Sequence, residues 1–173
     1  MKKLDNKGFT LVEVIAVVVI IAVLGMIAVP NILGTINKSK DSTYDILVSD
    51  IVVASQQLFE EIEYNGSKIK IYKKDGATIN DISLNGNVIE VNLQTLVSNG
   101  FLTGSNNPDA NEEGDTNGNK KIIVNPKDKK DIGECNIKIT KTVAADYETS
   151  YKIEDVSGGE SCPSTNDYDN VLK

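Results

Sequence analysis

The sequence predicts an α+β chain: one long N-terminal helix, with a transmembrane half and an amphipathic half, packed on a small antiparallel β-sheet head. Three observations carry this. Residues 14–29 hold no charge, and the apolar run begins at Phe9. Beyond Pro30, apolar residues return at spacings of three, four and seven (Ile32, Leu33, Ile36, Tyr44, Leu47, Val48, Ile51, Leu58, Phe59, Ile62), as on one face of a helix. From Ser67 onward the chain changes to short alternating runs separated by Asn, Gly, Asp and Lys, a pattern of small strands and long loops.

Residues 1–8 form a short arm with Lys2, Lys3 and Lys7 against Asp5. The positive-inside bias keeps such an arm in the cytoplasm and sends the rest outward. Residues 9–30 then supply about 20 residues, enough for a helix to cross the hydrocarbon layer. A secretory signal would show an apolar core of about 7–15 residues and a small-residue cleavage site. Here the run is longer and continues into Pro30-Asn31-Ile32, so removal after the span is not expected. One residue disturbs the apolar run. Glu13 places a carboxylate near its cytoplasmic end, where a charge costs a few kcal/mol, about 2.5–3.5 at a helix centre, and calls for a partner.

Residues 31–65 continue the helix as its amphipathic outer half, with Lys38, Lys40, Asp41, Asp45, Asp50, Glu60 and Glu61 falling largely between the apolar positions. Asn65-Gly66 stops it. Gly25 and Pro30 are its weak points, since an interior proline costs about 3 kcal/mol and glycine about 1. Either the helix bends mildly there, or it kinks and melts locally once packed against protein. In the head, residues 66–173, alternating runs predict strands at 69–72, 82–84 and 88–91, the last two flanking an Asn85-Gly86 hairpin turn. A short helix over 93–98 ends at Asn99-Gly100, and strands follow at 121–124, 136–143 and 149–153. The inner face of this sheet lies on the outer half of the long helix, because neither element buries its apolar side alone.

The block from Lys7 to Glu13, read Lys-Gly-Phe-Thr-Leu-Val-Glu after a basic leader and before an uninterrupted apolar run, resembles the processing site of the type IV pilin superfamily, which includes type II secretion pseudopilins. The resemblance covers the N-terminal third and implies cleavage between Gly8 and Phe9 by a prepilin peptidase, with N-methylation of Phe9. Pro30 matches a helix-kinking proline of that family, and Leu93, Leu96, Gly100, Phe101 and Leu102 are similar to a segment common in its heads. Cleavage creates a cationic amine on Phe9, and Glu13 can neutralise it within one helix or meet the amine of a neighbouring subunit. Two opposite charges 4 Å apart gain roughly 4 kcal/mol at an effective dielectric of 20 before desolvation, so the pair favours one axial register. The family reading is the intersubunit pairing; the alternative, for the free, membrane-embedded subunit, is that Glu13 merely reaches the head groups, and both can apply, before and after assembly.

The function the resemblance implies is that of a structural pilin, a single-pass prepilin of the cytoplasmic membrane that polymerises into an extracellular filament for adhesion, twitching motility, aggregation or DNA uptake. Its partners are then further copies of itself, the prepilin peptidase, the assembly platform and ATPase machinery, minor pilins, and the membrane before assembly. Two alternatives stay open: a type II secretion pseudopilin or minor pilin, and a signal-anchored surface binding protein that retains its leader. Many pilins carry a C-terminal disulfide loop, which points to pairing of Cys135 with Cys162 on the exported side; two free thiols are the other reading.

Composition excludes several classes. The net charge is −7, and −9 without residues 1–8; there is no Arg, His or Trp. Nonspecific nucleic-acid binding is not expected of so acidic a chain. Lys68, Lys70, Lys73 and Lys74 read as the solvent face of an edge strand. Without histidine or a framed nucleophile, the carboxylates read as surface, and no enzyme activity or cofactor is expected. One loop is a weak calcium candidate: Asp109, Asn111, Glu113 and Asp115 place oxygen ligands at alternate positions, but Lys120 stands where a calcium loop needs its bidentate glutamate. A solvated loop is the preferred reading.

Overall fold

The computed structural model of the protein describes residues 9–65, 86–106, 121–156 and 159–172, with the side chains at 27–31 outside that set. The chain divides into two compact units, Met1–Lys40 and Asp41–Lys173. Helix α1 (Leu11–Asn65) contributes to both and stays helical through Gly25 and Pro30.

In the first unit, Phe9 and every described side chain of α1 up to Leu24 are exposed. Ile32, Leu33 and Ile36, expected on the amphipathic face, are exposed as well. Among the described residues no helix is long and apolar enough to cross a membrane. The uncharged stretch with described side chains is 14–26, about 20 Å of helix against a hydrocarbon core of about 30 Å. The span expected over 9–30 therefore falls short here by the residues whose side chains are not described.

In the second unit, the predicted periodicity becomes a buried face. Tyr44, Val48, Ile51, Leu58, Phe59 and Ile62 are all below a tenth exposed, and Leu47 is partly buried against them. Ser55, on the same face, satisfies its hydroxyl by donating to the Ile51 carbonyl at 2.6 Å. The sheet that shares this core has three antiparallel strands in the order β1 (Val88–Asn92), β4 (Asn136–Val143), β5 (Thr149–Asp155). Its register sets Val91 opposite Ile137 and Ile89 opposite Ile139, with Ile139 opposite Ile153 on the other side. Period-two alternation thus brings five buried β-branched residues onto one face. Across the core, Phe59 meets Tyr151 edge to face, with ring centroids 5.8 Å apart.

Between β1 and β4 lie α2 (Leu93–Ser98) and a separate two-stranded ribbon of β2 (Ser105–Asn106) with β3 (Lys121–Ile122). Asn92 caps α2, its side chain accepting from the Thr95 N–H at 3.0 Å. Gly100, at φ +82°, ends it by letting the Phe101 and Leu102 amides turn back to the Leu96 carbonyl. The strand expected over 121–124 is shorter than predicted. Asn125 accepts from the Lys127 amide and its carbonyl accepts from Lys129, so the chain turns at once and only a single bridge, Val124 to Asp131, follows. The expected strands at 69–72 and 82–84, with the four lysines around the first, lie outside the described residues.

The tail, where the resemblance implies a disulfide loop, also contains a helix, α3 (Thr165–Val171). Ser164 and Asp167 form a capping box, with the Ser164 amide donating to Asp167 Oδ2 at 2.7 Å. Tyr168 on α3 enters the core fully buried, and Tyr44 on α1 donates its hydroxyl to Asp167 Oδ2 at 3.0 Å. Lys127 lies over the Tyr44 ring, 3.6 Å from its centre.

Candidate processing and assembly site

Thr10 precedes the first helical residue of α1, and Glu13 is the third residue of its first turn. The Thr10 amide donates to Glu13 Oε2 at 2.8 Å and the Thr10 hydroxyl donates to the same oxygen at 2.9 Å. In return the Glu13 amide donates to the Thr10 hydroxyl oxygen at 3.3 Å. This reciprocal pattern is a capping box, which satisfies two of the amides a helix start leaves without partners. Glu13 thus has a local occupation that sequence reasoning missed. The signal was present in Thr10-Leu11-Val12-Glu13, which fits the Ser/Thr-x-x-Glu pattern of helix starts.

The capping box fixes where the carboxylate sits, one turn into the helix and beside its N-terminal amides. A negative charge there is favoured by the helix dipole, typically by about 0.3–1 kcal/mol. Around it the surface is apolar on all sides. Phe9 is 88% exposed, and Leu11, Val12, Val14, Ile15, Val17 and Val18 are each more than half exposed. A helix that is hydrophobic all round is stable only when something apolar covers it. Of the residues singled out from sequence, Phe9 and Glu13 are brought together at this helix start, while Gly8 lies outside the described residues. Asp109, Asn111, Glu113 and Asp115 lie outside them as well.

The second unit holds the cysteine pair. Cys135, immediately before β4, is bonded to Cys162, with Cα atoms 5.8 Å apart. The bridge encloses a segment with a sequence separation of 27. In the chain-entropy model such a loop stabilises the fold by roughly 3–4 kcal/mol. Asn125 adds a second tie, its side-chain amide donating to the Ser161 carbonyl at 2.7 Å. Three phenols report the local fields. Burial, aided by the Asp167 carboxylate, raises the ionisation of Tyr44 well above the ordinary tyrosine range. Burial raises Tyr168 likewise, with Asp155 contributing. Tyr151 is pushed up to about 12 by burial and by Glu60, to which its hydroxyl donates at 3.2 Å.

The family described as the prokaryotic N-terminal methylation motif matches residues 3–29. The type II secretion system core protein G of Klebsiella michiganensis is 40% identical over 58 residues, covering 34% of this chain and 39% of that protein. The chain therefore spans about two fifths of the length of this curated relative. No solved structure matches. The motif at the start of α1, the apolar helix that follows it and the small antiparallel head agree with one another and support a place in the type IV pilin and type II secretion pseudopilin superfamily.

Proposed function

We propose that this protein is a structural subunit of a helical filament, cut between Gly8 and Phe9 and polymerised through its apolar N-terminal helix into a type IV pilus. The observation that carries the reading is the uncovered apolar surface from Phe9 to Leu24 with a single carboxylate, Glu13, at its start. Before assembly, the sequence run from Phe9 to Val29 has the length to lie across the cytoplasmic membrane. In the fibre, neighbouring copies of the same helix replace lipid as the cover. Cleavage frees the Phe9 amine, and the Glu13 carboxylate of a neighbouring copy pairs with it to set the axial register. Contact between unlike surfaces, repeated with a rotation that does not close, yields an open filament. The role is mechanical, and no catalytic step is assigned to the chain.

The relative in type II secretion favours a second reading, a pseudopilin that builds a short periplasmic fibre. The two separate by location: a pilus subunit is recovered in material sheared from cells, a pseudopilin in the membrane fraction.

The capping box dictates the substitution that tests the assembly role. Glu13→Ala removes charge and cap together, whereas Glu13→Gln keeps a capping-box side chain and removes only the charge. If charge pairing sets the register, both variants lose filaments while the processed subunit accumulates in the membrane. Normal filaments from Glu13→Gln, with loss in Glu13→Ala, would reduce Glu13 to a helix cap and overturn the pairing.

A further inference from the structure

The disulfide lies in the wall of a hollow of about 410 Å³ formed by residues on both sides of the bridge. Its two sulfurs are not equivalent. Cys135 is only 4% exposed and belongs to the core, while Cys162 is partly buried on a segment that leads to α3. The charged lining is also uneven, with one ammonium, Lys130, and three carboxylates, Asp131, Glu134 and Glu160. We propose that this hollow is a thiol-exchange site at which the bridge opens and closes through Cys162, and that it favours cationic thiols over anionic ones.

The chemistry follows from access. An incoming thiolate must reach one sulfur along the S–S axis and expel the other. Cys162 is the more exposed of the two, so the new bond forms to Cys162 Sγ, the Cys162–Cys135 bond breaks, and Cys135 leaves as a thiolate that takes a proton from water. A second thiol then attacks the incoming sulfur of the mixed disulfide, releasing Cys162 as a thiol. In sum two thiols are oxidised to one disulfide and the bridge is reduced to two cysteines; closure is the reverse. Cys135, held by the fold beside Cys162, then re-attacks the mixed disulfide quickly and re-forms the bridge. The exchange intermediate is therefore specific and short-lived. Three carboxylates against one ammonium repel an anionic thiol, and this repulsion is screened by salt. Opening removes the covalent tie on residues 159–172, leaving the segment held by Tyr168 in the core and by the Tyr44–Asp167, Asn125–Ser161 and Asp155–Thr165 hydrogen bonds.

The test uses the intact, disulfide-bonded protein and two small probes, cysteamine and glutathione, at matched thiolate concentration. After brief exposure the reaction is quenched in acid, free thiols are alkylated, and peptides are mapped by mass spectrometry. The expected result is an adduct on Cys162 exceeding any on Cys135 by about tenfold or more, with Cys135 alkylated. Cysteamine should react several-fold faster than glutathione at low salt, with the gap narrowing near 0.5 M salt, where the Debye length falls to a few ångström. Adducts mainly on Cys135 or shared evenly would overturn the proposal. So would equal rates for the two thiols, or no adduct under conditions that reduce the unfolded chain.

Discussion

Replacing Phe59 by alanine should cost the head a large part of its stability, and the size of the loss follows from where the ring sits. Phe59 is 1% exposed on the buried face of α1, against Tyr151 of β5 and flanked by Leu58 and Ile62 at 0% and 2%. A buried aromatic removes about 150–250 Å² from water, which at about 25 cal/mol per Å² is roughly 4–6 kcal/mol, less what alanine still buries. Measured Phe→Ala losses in cores cluster at about 3–5 kcal/mol. Against a total of about 5–15 kcal/mol this is roughly a fifth of the stability or more. At about 3–5 °C per kcal/mol for a unit of this size, the thermal midpoint should drop by roughly 10–20 °C. The control is Ile46→Ala on the same helix, where the side chain is 59% exposed and the expected change is within about 0.5 kcal/mol. Urea unfolding of the full chain in detergent, followed by circular dichroism, measures both. Equal effects from Phe59→Ala and Ile46→Ala would refute the assignment of this helix face to the core.

Other outcomes follow from individual contacts. Burial pushes the Asp167 carboxyl up, but the Ser164 amide and hydroxyl and the Tyr44 hydroxyl outweigh it and hold the carboxyl below its ordinary 3.8. A depressed carboxylate stabilises the fold above its unfolded pKa, and that contribution is lost as pH falls from 3.8 through the folded value. The urea midpoint should therefore decline as pH falls below about 3.8, less steeply in Asp167→Asn. Tyr151, pushed up to about 12, should still be protonated at pH values where an ordinary phenol near 10 ionises, so an absorbance titration should show a late step that Tyr151→Phe removes. A Cβ at Gly133 would lie 2.6 Å from Gln94 Oε1, and Gln94 is fixed because its Nε2 donates to the Lys121 carbonyl at 2.9 Å. Gly133→Ala should thus destabilise by about 1–3 kcal/mol, seen as a lower thermal midpoint.

Much of this architecture was legible because burial and period coincide. The buried residues of α1 recur at helical spacing, and strands β1, β4 and β5 alternate cleanly, so 88–91, 136–143 and 149–153 were read from sequence nearly to their ends. Helix α2 was legible from Leu93 and Leu96 and its Asn99-Gly100 stop. The misses have physical causes. Helix α3 is a short run of polar residues, Thr-Asn-Asp-Tyr-Asp-Asn-Val, whose one core residue, Tyr168, gives no period; its only signal was the Ser164–Asp167 cap. Strand β3 stopped early because Asn125 and Pro126 impose a turn that outweighs the β-branched run before it. At the functional end, the motif around Gly8, Phe9 and Glu13 is conspicuous as sequence, while the Thr10–Glu13 capping box shows only when the unpartnered amides of the helix start are weighed beside the cost of the charge.

The central claim is that this chain is cut after Gly8 and then assembles. Mass spectrometry of the N-terminus of protein sheared from intact cells tests both at once. The account predicts a chain beginning at N-methylated Phe9, recovered in a sedimentable fibre. An intact Met1, with no such protein in the sheared or membrane-fibre fractions, would contradict it and leave an anchored surface protein in its place.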